Sequence, residues 1–138
     1  MPMEVIDTGG LDDRGAVSSQ VQTQVELAMN ESDVVLFMLD SRVGVTALDL
    51  HFARWIRKTI HGKNDPTNST KREVVILANK AEGAHMSEQI MDTFAEASRL
   101  GFGEPLLISA SHGYNRNTVY TVIDCSVLYS ALNSTISL

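Results

Sequence analysis

Residues 33–40 read Asp33-Val-Val-Leu-Phe-Met-Leu-Asp40, six apolar side chains in a row between two aspartates. A short continuous apolar run bounded by two aspartates reads as a strand. It has no polar alternation, so both faces are expected to be buried, as in a parallel sheet covered by helices. Glu73–Ala78, Glu-Val-Val-Ile-Leu-Ala, repeats the pattern, and Leu106–Ile108 gives a shorter version. Met3–Ile6 reads as a further short strand, ending on Asp7 and followed by Thr8-Gly9-Gly10.

Helical patterns fall between these runs. Gln22–Asn30 places Val25, Ala28 and Met29 on one face. Leu48, Phe52, Trp55 and Ile56 recur at helical spacing, with Thr46 as cap, Asp49 completing a short capping box, and Arg54, Arg57 and Lys58 complementing the far end of the dipole. Ser87 caps a helix running to about Leu100, with Ile90, Met91, Phe94 and Ala97 inward and Gly101 as its stop. Leu11–Val21 and His61–Arg72 are polar and aperiodic and read as loops. Strands alternating with helices predict an α/β fold with a doubly wound, mostly parallel sheet. Ligands of such sheets bind beyond the C-terminal strand ends, where Asp7, Asp40, Asn79 and Ser109 all fall.

The totals narrow the class. A chain of 138 residues is one domain or part of one, and 43% hydrophobic content can support a core. The net charge of −6 disfavours direct DNA binding and anionic membranes. No apolar run reaches the ~18 residues of a membrane span, and no signal peptide is visible. Cys125 is the single cysteine, which excludes an internal disulfide and points to an intracellular, reducing setting. No basic residue neighbours it, so it reads as inert. The four histidines show no metal-ligand spacing; His85 and His112 read as exposed loop residues. The Asn-x-Ser/Thr matches at Asn30, Asn68 and Asn133 are chance occurrences in an intracellular chain. Asp40 and Arg42 read as capping and solvating a loop.

Three strand ends carry a joint pattern: Asp7-Thr-Gly-Gly10, Asn79-Lys-Ala-Glu82 and Ser109-Ala110. With the intervening DVVLFMLDSRVGVTALDLHFARWIRK, VVILANKAEG and LGFGEPLLISASHG, residues 3–115 resemble the first G domain of the Der (EngA) family of ribosome-assembly GTPases. The resemblance implies a P-loop NTPase-like sheet, GTP or GDP as ligand, Mg²⁺ and, in such GTPases, often K⁺. The partner it implies is the large ribosomal subunit, in the cytoplasm or in an organelle matrix, chloroplast or mitochondrion. Asp7 would hold Mg²⁺ through water, and the Gly10 N–H would sense the γ-phosphate. Residues 11–21 would form the switch that this phosphate orders. Asn79 would reach the base and bind neighbouring loops. Lys80 would lay its stem along the purine, and Glu82 would accept from guanine N1–H and the exocyclic amine. Ser109 and Ala110 would contact guanine O6 from the backbone.

The departures are as informative. Glu82 stands where the commonest base-reading motif has Asp, and Leu11 stands where Ras-like GTPases place the water-orienting glutamine. No Gly-x-x-x-x-Gly-Lys-[Ser/Thr] occurs, so the phosphate cradle, its lysine and a Mg²⁺ ligand are missing, and so is the first switch. The family carries these upstream of Asp7 with two strands, one of them lying between 3–6 and 33–39. The expectation is therefore a partial G domain over 1–116, lacking its first two strands and without catalytic residues of its own. A divergent closing helix or tail would follow over 117–138. The alternatives are an interaction module without nucleotide or an inactive truncated product. A phospho-receiver lacks its paired acids. An aspartic protease, suggested by Ile6-Asp-Thr-Gly-Gly10, conflicts with the helix at 46–60.

Overall fold

In a computed structural model the described residues are 3–6, 19–61, 72–82 and 87–125. They form an α/β unit in the order α1 (Ser19–Glu31), β1 (Val34–Asp40), α2 (Ala47–His61), β2 (Glu73–Asn79), α3 (Glu88–Ser98) and β3 (Leu106–Leu107). Residues 116–125 are helical again; residues 126–138 lie outside the described part. The sheet is parallel with order β1-β2-β3, and Val34↔Glu73 through Asp40↔Asn79 pair in unbroken register.

The helices begin where local chemistry directs. The Thr46 backbone N–H donates to Asp49 Oδ2 at 2.8 Å, and the Asp49 N–H donates back to Thr46 Oγ1 at 3.2 Å, closing the expected capping box before α2. Ser87 Oγ accepts from the Ile90 N–H ahead of α3. Beyond α3, Gly101 sits at φ +88°, a conformation that favours glycine. Arg57 reaches across from α2, donating to the Leu100 carbonyl and lying over the Phe102 ring. One expected boundary moves: α1 starts at Ser19, so the aperiodic Ser19–Val21 joins the helix. Val21 packs against the larger apolar cluster, a tertiary contact that periodicity alone does not reveal.

Two apolar clusters fill the two sides of the sheet. Val25 and Met29 of α1, Phe52, Ala53 and Ile56 of α2, and Ala97 of α3 cover Phe37, Leu39, Val74 and Ile76 on one side. On the other side Val75, Leu77 and Ile108 meet Val119 and Val122 of the closing helical segment. Trp55 is partly buried against the larger cluster. Within α3, Met91 is 42% exposed and Thr93 is fully buried in the inward position. The Thr93 hydroxyl donates at 3.1 Å to the Ser41 carbonyl after β1 and at 2.8 Å to the Gln89 carbonyl of its own helix, which makes its burial tolerable.

Besides Met91, expected inward but turned out with Thr93 buried in its place, two expectations about the strands fail. Met3–Ile6 is not a strand: all four residues are exposed, Val5 to 75%. A strand needs a ladder partner or a buried face, and among the described residues this run has neither. The run at 33–40 is not buried on both faces either. Phe37 and Leu39 are buried, while Leu36 and Met38 are 41% and 54% exposed. β1 is an edge of the described sheet, and the cluster that includes the closing helical segment lies over β2 and β3 and takes in only Val34 of β1.

Candidate functional site

The site lies at the C-terminal edge of the sheet, where the segments after β1, β2 and β3 converge. Asn79 is its hub. Its side-chain Oδ1 accepts from the Ala110 N–H at 3.0 Å, tying the end of β2 to the segment after β3. Its backbone carbonyl accepts from both the N–H and the hydroxyl of the buried Ser41, at 2.9 and 2.6 Å. One residue thus joins all three strand ends. Lys80 follows at φ +63°, unusual for a residue with a Cβ. The left-handed turn is held by the Ala81 N–H donating to the Ile108 carbonyl at 2.9 Å. Such held strain clusters at ligand sites.

Two ion pairs cross from β1 to β2. Lys80 Nζ lies 2.6 Å from Asp40 Oδ2, and Arg42 Nη2 lies 3.0 Å from Glu82 Oε1. Asp40 also accepts the Arg42 backbone N–H at 2.9 Å, so it caps the loop as expected and does more. The Lys80 ammonium holds the Asp40 carboxyl below its ordinary value; partial burial opposes this, and the Arg42 and Val43 N–H groups assist. The Glu82 carboxyl is also lowered, by the nearby Ser109 hydroxyl first, against desolvation, then by its own backbone N–H, Arg42 and His112. Glu82 Oε2 is nonetheless buried and has no hydrogen-bond partner among the described residues. His112 Nδ1 stands 4.0 Å away from it.

The segment after β3 is a closed turn. Ser109 and Tyr114 exchange backbone hydrogen bonds at 3.3 and 3.1 Å, and Asn115 anchors the turn to the Leu107 carbonyl. Ser109 is buried, with its Oγ 3.1 Å from His112 Nδ1. His112 is exposed, as its loop position predicts, but it also organises this turn. Among the described residues no group of three or more His, Cys, Asp or Glu side chains is arranged to hold a metal.

Asn79, Lys80, Glu82, Ser109 and Ala110 therefore come together at one sheet edge. Asp7, Gly10 and residues 11–18 of the switch expected over 11–21 lie outside the described residues, as does His85, while residues 19–21 of that expected switch belong to α1. Asp40 and Arg42 belong to the constellation and were legible only as loop residues. Their signal was the register: Asp40 pairs with Asn79, which sets each loop beside the other.

A parallel sheet flanked by helices, with its polar residues gathered at the C-terminal strand ends, defines the class of α/β domain whose ligand site lies at that edge. Residues 1–80 match the sequence profile of the family described as 50S ribosome-binding GTPase, and the chain belongs to that family. It is similar to the GTPase Der of Hyphomonas neptunium, 40% identical over 125 residues, and to that of Heliobacterium modesticaldum, 41% identical over 114 residues. These alignments cover 89% and 80% of this chain but 22% of each relative, so the chain spans about a fifth of their length. No helix among the described residues is long and apolar enough to cross a membrane.

Proposed function

We propose that this chain carries the guanine-reading part of a Der-like G domain, and that by itself it binds guanine nucleotide weakly and does not hydrolyse GTP. The observation that carries the reading is Glu82. Its carboxylate is held in the ionised form, and its buried Oε2 has no donor among the described residues. A buried acceptor without a partner is costly, and a ligand presenting adjacent N–H donors would satisfy it. Guanine presents two such donors on one edge; adenine presents an acceptor there instead. In this reading Asn79 ties the loops together, the Lys80 stem lies along the purine, and the Ser109 and Ala110 backbone faces O6.

Asp7 and Gly10 are proposed for Mg²⁺ and the γ-phosphate. A carboxylate is the hard oxygen donor such an ion prefers, and the bound ion would offset phosphate charge. The sequence contains no lysine-bearing phosphate loop and no glutamine after Gly10, which supports weak binding and absent hydrolysis. The role of the relatives as GTPases, an association with the large ribosomal subunit and an intracellular setting are proposed for a longer protein of this kind.

Titration of the chain with a fluorescent GDP, chased with unlabelled GDP or ADP, tests the reading. Weak binding that GDP competes better than ADP is expected, with no phosphate released from GTP. Micromolar or tighter binding would show that the chain needs no phosphate loop. Equal competition by ADP would remove the guanine assignment.

A further inference from the structure

We propose that Asp40 and Arg42, at the end of β1, are positioning residues for the base reader on β2, Asp40 fixing Lys80 and Arg42 fixing Glu82. This rests on the guanine reading above and assigns the control of its specificity. The two loops carry charges at the same two-residue spacing and in opposite order: acid then base at Asp40 and Arg42, base then acid at Lys80 and Glu82. The register Asp40↔Asn79 sets the loops side by side, so each charge meets its opposite, at 2.6 Å and 3.0 Å. A shift of register by two residues would bring like charges together.

These pairs are poor candidates for holding the fold. The Lys80 and Arg42 side chains are 51% and 62% exposed, and ion pairs in that setting contribute little to stability. Their consequence is orientation. With its ammonium on Asp40, the methylene stem of Lys80 is stretched between the strand ends. With Oε1 on Arg42, Glu82 cannot turn freely and its Oε2 stays buried. Asp40 is itself braced by the Arg42 N–H, so the two clamps share one support.

The two clamps predict different losses. The Lys80 stem would touch any purine, so Asp40→Asn should weaken GDP and IDP alike. Inosine lacks the exocyclic amine, so only Glu82 tells the two apart. Arg42→Ala should therefore lower the preference for GDP over IDP by about tenfold, the order of one charge-assisted hydrogen bond. Arg42→Lys should recover part of it. The measurement is an NMR titration of the isotopically labelled full chain with GDP and with IDP, with Arg42→Gln as a second neutral variant. A preference unchanged in both neutral variants would overturn the role of Arg42. A change of preference in Asp40→Asn would overturn the division of labour. A preference that survives Glu82→Gln, or absence of binding by the wild-type chain, would overturn the guanine reading itself.

Discussion

β1 and β2 are neighbouring strands of equal length with nearly interchangeable sequences, Val-Val-Leu-Phe-Met-Leu-Asp and Glu-Val-Val-Ile-Leu-Ala-Asn. β2 is buried from Val74 to Ala78 without a break. β1 buries Phe37 and Leu39 and exposes the alternate Leu36 and Met38. The difference lies in the cover. α1, α2 and α3 close one side over both strands, while on the other side the cluster that includes Val119 and Val122 of the closing helical segment takes in β2, β3 and only Val34 of β1. An apolar strand thus reports the environment its sequence suits, and its actual burial depends on which helices arrive.

The largest effect that would sharpen the comparison is at Ile76, fully buried in the central strand. Ile76→Ala should cost about 2–5 kcal/mol in urea unfolding, because it removes contacts on a side that cannot collapse fully. Next comes the link between the strands. Ser41→Ala removes the 2.6 Å hydroxyl bond to the Asn79 carbonyl and should cost about 1 kcal/mol. A loss well above that would mean the two strand ends depend on one another more than on the sheet. Met38→Ser, on the open side of β1, should change stability by less than about 0.5 kcal/mol and raise solubility. A loss comparable to that of Ile76→Ala would break the comparison, since it would show that the open side is covered in solution.

The smallest effect is electrostatic. The folded chain holds Asp40 below its ordinary 3.8, so near that pH it binds fewer protons than the unfolded chain. The stabilisation is complete above that value and is lost as pH falls through the lowered one. Asp40→Asn should therefore lower the urea midpoint slightly at about pH 6, and by progressively less as the pH falls below the ordinary carboxyl value. A loss that does not shrink as the pH falls would assign the effect to packing instead.

Much of this was legible in the sequence because its signals are local. Thr46 with Asp49, Ser87 with the Ile90 amide, and Gly101 after α3 each work within one turn of chain. The apolar runs marked the strands, and the polar residues closing them marked the edge where Asn79, Lys80, Glu82, Ser109 and Ala110 meet. Tertiary partners were not legible. Met3–Ile6 looks like a strand but finds no ladder among the described residues. Thr93 lies inside α3 because Ser41 supplies an acceptor from another element, and Met91 is correspondingly turned out. Asp40 and Arg42 gain their partners only through register, a relation across some forty residues of chain that no local pattern encodes.

The central claim is that the strand ends after β2 and β3 read guanine. The direct measurement follows the backbone amides of Asn79, Lys80, Glu82, Ser109 and Ala110 by NMR as GDP and, separately, ADP are added at matched concentrations. The account predicts shifts of these amides with GDP, little response to ADP, and loss of the GDP response in Glu82→Ala. Equal shifts with both nucleotides, or a GDP response that survives Glu82→Ala, would contradict it.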